Sequence, residues 1–124
     1  MVAFERGVPV SFGADSNVRL DPFEEARETE GCARRQSGRR NVLVADGDVG
    51  PAPSLWRCLT DHGARSLGLP SMGIVAGAPA DMVALDLEHP EIRSVEPRDL
   101  AAAVLFSGTA ALVRETWVAG VPAA

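Results

Sequence analysis

Val8, Val10 and Phe12 alternate with Pro9 and Ser11, the period of two expected of a strand with one buried face. The pattern predicts a strand over 8–12, with Gly13 freeing the backbone to turn after it. Before it, MVAFERG reads as the tail of a helix closed by Gly7. From Asp21 to about Ser37 a helix is expected. Asp21 is placed to cap it, Pro22 takes the favoured first position, and Glu24 follows three residues after the cap. Its apolar face is thin: Phe23, Ala26, Cys32 and Ala33. Such a helix depends on what it packs against. Glu30 and Arg34 form an i,i+4 pair, worth roughly 0.2–0.5 kcal/mol on a helix surface. The run DGDVGPAP, 46–53, reads as a solvated turn, since it lacks the downstream glutamate of a calcium loop. A second helix is expected from Ser54 to Leu67, capped by Ser54. Its stripe is Leu55, Leu59, Gly63 and Leu67, and Gly68 and Pro70 end it. Beyond it, Gly73, Gly77 and Pro79 make a turn, and Met82 to Leu87 a strand. Asp99 to Phe106 is a short helix capped by Asp99, and Leu112 to Ala119 a last strand.

Composition narrows the classes. The length of 124 residues allows at most one domain by size. A net charge of -5 argues against nucleic acid as the main partner, which needs a basic stripe. The longest uncharged apolar run, Leu100 to Val113, falls short of the about 20 residues a membrane span needs. No charged segment followed by an apolar one marks a signal peptide, so a cytoplasmic protein is the expectation. Two cysteines make no disulfide framework.

Several side chains could carry chemistry. Asp15 stands just past the expected strand tip, where α/β folds place their reacting groups; its plain alternative is an Asx-turn. Cys58 and His62, four apart, would share a helix face and could bind zinc with Cys32, or act as a nucleophile pair. The favoured reading is plainer: Cys58 a small buried hydrophobe and His62 a polar residue at a helix end. His89, before Pro90, reads as a surface residue. Arg35, Arg39 and Arg40 could grip an anion, but a solvated face or ion pairs with the acidic helix is favoured.

The run GADSN, the acidic helix after it and RRQSGRRNVL resemble the last barrel strand and helix of the metal-dependent amidohydrolases, nearest the formimidoylglutamate deiminase branch. The glycine turn with Ala80 and Asp81, and the closing pattern of Val113, Trp117 and Val118, resemble the wider superfamily. The resemblance implies an α/β fold: a C-terminal piece of a (β/α)8 barrel over 1–72, and part of a flanking β-sandwich with a short helix over 73–124. It implies hydrolysis of a non-peptide C–N bond, formimidoylglutamate in histidine degradation, with a nucleobase or guanine-type deaminase as the alternative. A non-catalytic piece that binds a partner is the third reading. On this resemblance Asp15 contacts the metal and takes the proton of the attacking water. The cofactor implied is zinc or another divalent metal in the complete enzyme. The family's His-x-His pair and further histidines are absent here, so this chain alone is expected to bind no metal and to be inactive. The partners implied are a small-molecule substrate and a missing N-terminal barrel portion.

Overall fold

The computed structural model describes residues 2–70 and 73–123. In chain order it runs α1 (Val2–Glu5), α2 (Pro22–Ser37), α3 (Pro51–Leu59), α4 (Asp61–Ser66), β1 (Met82–Leu85), α5 (Leu100–Ser107), β2 (Val113–Val118) and β3 (Val121–Pro122). Short 3₁₀ turns precede α5 and β2.

α2 begins as its sequence directs. The Asp21 carboxylate accepts from the amides of Phe23, at 2.9 Å, and Glu24, at 3.3 Å. These are orphan donors of the first turn. Gly38 closes the helix at φ 67, its amide donating to the Arg34 carbonyl. The apolar face differs from expectation. Cys32 is exposed, and Glu30, which the sequence places in a surface pair, is buried at 1%.

The expected strand at 8–12 is corrected. The segment has no ladder partner among the described residues and is not a strand. Its alternation is expressed only in part, since Val10 is half-buried and Phe12 packs on the core while Val8 is exposed, and a strand exists only through hydrogen bonds to a neighbour. The single helix expected over 54–67 is corrected to two. The chain breaks at Thr60 (φ -117, ψ -89), whose hydroxyl donates to the Trp56 carbonyl at 2.8 Å. Ser54 does not cap; it lies buried inside α3. Leu67, assigned to the apolar stripe, is 76% exposed. Asp99 precedes α5 but makes no side-chain cap.

The interior has two joined clusters. Ala26, Ala33, Leu43, Leu55 and Leu105 form one, and Phe23, Ile92, Val104 and Leu112 the other. Trp56 and Leu59 touch both. The Trp56 ring meets Phe23 edge-on at 5.7 Å, and its indole N–H donates to the Ala101 carbonyl at 2.9 Å. α5 thus packs on α2 and α3, and Arg27 of α2 reaches the end of α5. Its Nη1 donates to the carbonyls of Leu105 (3.2 Å) and Gly108 (2.5 Å).

The three strands form one antiparallel sheet in the order β1-β2-β3. Val118 pairs with Val121 across Ala119 (φ 50) and Gly120 (φ 77), the two left-handed residues of a tight hairpin. The Ala119 amide donates to the Asp81 carboxylate at 2.7 Å, and that of Gly120 to the Ala80 carbonyl at 2.9 Å. The Ala80–Asp81 pair therefore fixes the β2–β3 turn. No helix among the described residues is long and apolar enough to cross a membrane.

Candidate functional site

Asp15 sits where the extended segment after α1 turns toward α2. Its backbone is left-handed at φ 45, a conformation that Asp adopts more readily than most residues. The turn closes with the Asn17 amide on the Ala14 carbonyl at 2.7 Å. The Asn17 side chain then donates to Glu25 of α2 at 2.6 Å, tying the turn to the helix. Asp15 itself is exposed, and its carboxylate has no hydrogen bond or ion pair among the described residues. A cleft of about 180 Å³ adjoins the turn, lined by residues that include Phe12, Gly13, Ala14, Leu20, Glu25 and Leu59. Asp15 is not among the lining residues.

The other candidates do not converge. The break at Thr60 separates Cys58 from His62, so the one-face argument for them fails. His62 instead places Nδ1 at 3.1 Å from the Val10 carbonyl. Burial pushes the Cys58 thiol up to about 11, far from the thiolate that a nucleophile or metal ligand needs. Cys32 is exposed on α2, with the Gln36 amide 3.5 Å from its sulfur. His89 is half-buried in the turn after β1, where Nδ1 accepts from the Glu91 amide at 3.4 Å. Arg35 pairs loosely with Glu28 at 3.5 Å, both exposed, and Arg39 and Arg40 pair with no carboxylate among the described residues. No group of three or more His, Cys, Asp or Glu side chains among the described residues could hold a metal ion. A catalytic zinc needs about three protein ligands, so these residues do not by themselves fit one.

Two polar clusters escaped the sequence reading. Glu30 accepts from the amides of Val42 (3.1 Å) and Leu43 (2.9 Å) and from Arg34 Nε (2.8 Å). It thereby fixes the chain after α2 against the helix, while Arg34 also lies over the Phe106 ring at 5.7 Å. Only the Arg34 contact leaves a signal in the sequence, the i,i+4 spacing. The second cluster centres on Asp48 in the expected solvated turn. Asp48 pairs with Arg57 and accepts from the buried Ser54 hydroxyl at 2.6 Å, while Ser54 accepts from the Ala45 amide at 2.8 Å. The hydrogen bond from Arg57, with that from Ser54, holds the Asp48 carboxyl below the usual carboxylate value.

The geometry thus offers Asp15 as an exposed carboxylate on a braced turn. The Amidohydrolase family model matches residues 3–124, and the chain belongs to that family. Among curated relatives, it is 33% identical over 115 residues to formimidoylglutamate deiminase of Pseudomonas aeruginosa, covering 93% of this chain and 25% of that protein. It is 32% identical over 115 residues to 5-methylthioadenosine/S-adenosylhomocysteine deaminase of Halobacterium salinarum, covering 90% and 25%. A crystal structure of an adenosine deaminase from Xanthomonas campestris with bound zinc superposes with a TM-score of 0.79 at 26% identity. That match covers 95% of this chain and 26% of the other. The chain spans about a quarter of the length of the curated relatives it matches.

Proposed function

We propose that this chain supplies the last strand-and-helix unit of a (β/α)8 amidohydrolase barrel, over 1–72, in which the extended 8–12 segment becomes a strand only when neighbouring strands pair with it, and part of a flanking β-sandwich, over 73–124. An upstream barrel portion completes it. The whole hydrolyses the C–N bond of a small formimidoyl compound, formimidoylglutamate, releasing formylglutamate and ammonia. Asp15 is its site carboxylate: Oδ takes the proton of the attacking water and passes it to the leaving nitrogen. The observation that carries this reading is the free Asp15 carboxylate on a turn braced by Asn17 and Glu25, in a chain matched end to end by the family. Proton transfer by such a group typically contributes about 10²–10⁴-fold. The remaining metal ligands and the groups that grip the substrate belong to the upstream portion in this reading, because the described residues do not supply them.

The second reading is a deaminase of methylthioadenosine or a related nucleoside, favoured by the nearly equal identity to the Halobacterium protein. The RRNVL run, Arg39–Leu43, supports the deiminase over it. Co-production with the first three quarters of the Pseudomonas deiminase and, separately, of the Halobacterium deaminase, followed by ammonia release from formimidoylglutamate with the first and from 5′-methylthioadenosine with the second, tests both. Release from formimidoylglutamate alone is expected. Release from the nucleoside alone would select the second reading, and two formed but inactive complexes would overturn both.

A further inference from the structure

We propose that the outer face of α2 is an interface between two copies of this chain, packed as an antiparallel helix pair about a two-fold axis beside Gly31 and Cys32. The proposal goes beyond the reading above and needs no activity from it. Glu28, Gly31, Cys32 and Arg35 fall at i, i+3, i+4 and i+7, one stripe of the helix. The buried residues Phe23, Ala26, Glu30 and Ala33 hold the other side. The Glu28 and Arg35 side chains are 70% and 67% exposed, and Cys32 is exposed between them. The stripe is therefore acidic toward the start of α2, small at its middle and basic toward its end.

Such a stripe is complementary to itself when reversed. In an antiparallel pair centred between residues 31 and 32, Glu28 faces Arg35 of the second copy, and Arg35 faces Glu28 of that copy. This is the reciprocal contact that a two-fold axis requires. Gly31 and Cys32 lie at the axis, and small side chains there let two helices approach closely. Within one copy, Glu28 and Arg35 meet only at 3.5 Å, both exposed, so the pair is weak and leaves both charges available to a second copy. The stripe also stays open in a completed barrel. A (β/α)8 barrel packs the inner side of each helix on the strands and turns the outer side away from them. Phe12 of the 8–12 segment packs on the cluster of Ala26 and Ala33, so the stripe lies on the far side of α2 whether or not neighbouring strands pair with that segment. A helix of 16 residues is about 24 Å long, and one face of it falls short of the about 1,200 Å² of a standard stable interface. The contact is thus a weak one, which a disulfide between the two Cys32 side chains can trap.

Mild oxidation of the dilute full chain with diamide tests this, with the Cys32–Cys32 linked peptide read by mass spectrometry. Cys58 is buried and stays out of the reaction. The wild-type chain should form the link, and about 1 M salt should reduce it by screening the exposed charges. Glu28→Arg and Arg35→Glu each set like charges face to face twice and should lower the link about fivefold. Mixed in equal amounts, the two variants face opposite charges again. Mixed pairs should then link as readily as wild type, while like pairs do not. That rescue cannot arise within one chain, because each variant keeps its own broken Glu28–Arg35 pair. Linking that ignores salt and charge, or mixed pairs at the level that random pairing gives, would overturn the proposal. The same pattern is expected in the complex with the upstream portion bound, and loss of the link there would show that the stripe is covered and would overturn it as well. If that complex does not form or is inactive, the reading of Asp15 fails, and the mixed-variant result still decides whether α2 pairs with a second copy.

Discussion

At the scale of single residues, reactivity follows from surroundings more than from identity. Cys58 and Cys32 are the same side chain in opposite settings. Burial holds the Cys58 thiol protonated, with its pKa at about 11, whereas Cys32 is open to solvent on α2. A thiol reagent at neutral pH should therefore label one cysteine rapidly in the native chain and the second only in denaturant. Rapid native labelling of both, read by mass spectrometry, would show that Cys58 is not enclosed. Glu30 makes the same point. Its three donors come from Arg34 and from two backbone amides beyond the end of α2. Removing the carboxylate leaves the buried Leu43 amide without a partner, which costs about 1–3 kcal/mol, and also takes the acceptor from the part-buried Val42 amide and Arg34. Glu30→Ala should therefore destabilise the chain by about 3 kcal/mol, seen as an earlier urea midpoint. A shift no larger than that of Glu28→Ala, whose side chain is exposed, would remove Glu30 from that role.

At the scale of elements, some local chemistry was legible and long-range partnership was not, although the caps expected at Ser54 and Asp99 are absent. The start of α2 was readable because Asp21 and Pro22 act within one turn. The final strand and its glycine turn were readable for the same reason, and the observed β2 differs from expectation only at its ends. The 8–12 segment was misread because alternation of apolar side chains says nothing of a neighbouring strand, and here only Val10 and Phe12 turn inward while Val8 stays exposed. The α3–α4 break was missed because the apolar stripe continues through it in the sequence, while the chain turns at Thr60. Apart from the Glu30–Arg34 spacing, the roles of Glu30 and of Asp48 with Ser54 were invisible because the partners are backbone amides or lie far apart along the chain. Asp15 was visible only as a carboxylate past an apolar run; the family resemblance gave it a role. Gly108 is a further element-scale constraint. A Cβ there would stand 2.4 Å from both the Val104 carbonyl and a Leu112 methyl, at the junction where Arg27 grips the end of α5. Gly108→Ala should cost about 1–3 kcal/mol from overpacking. Thermal melting unchanged from wild type would mean that this junction opens freely.

At the scale of the whole molecule, apolar side chains remain on the outside. Val18 is 96% exposed, Val49 100% and Ile74 95%, and Leu20, Val75 and Val83 are also exposed. The 8–12 segment and the free edge of β1 leave backbone groups unpaired among the described residues. Such surfaces and edges promote association. The chain produced alone should therefore run as oligomers or aggregates in size exclusion. A clean monomer with a sharp two-state melt would contradict that expectation. In the proposed function the same surfaces meet an upstream barrel portion, and the completed molecule works through Asp15. The most direct measurement compares Asp15→Asn with Asp21→Asn in the chain complemented by that portion. Asparagine at 15 keeps the shape and removes the basicity. At 21 it keeps an oxygen to accept from Phe23 and Glu24 and so preserves the α2 cap. Asp15→Asn should lower kcat by at least about a hundredfold with a smaller effect on KM, while Asp21→Asn should leave kcat nearly unchanged. Equal kcat in the two variants of an active complex would show that Asp15 is not the site carboxylate.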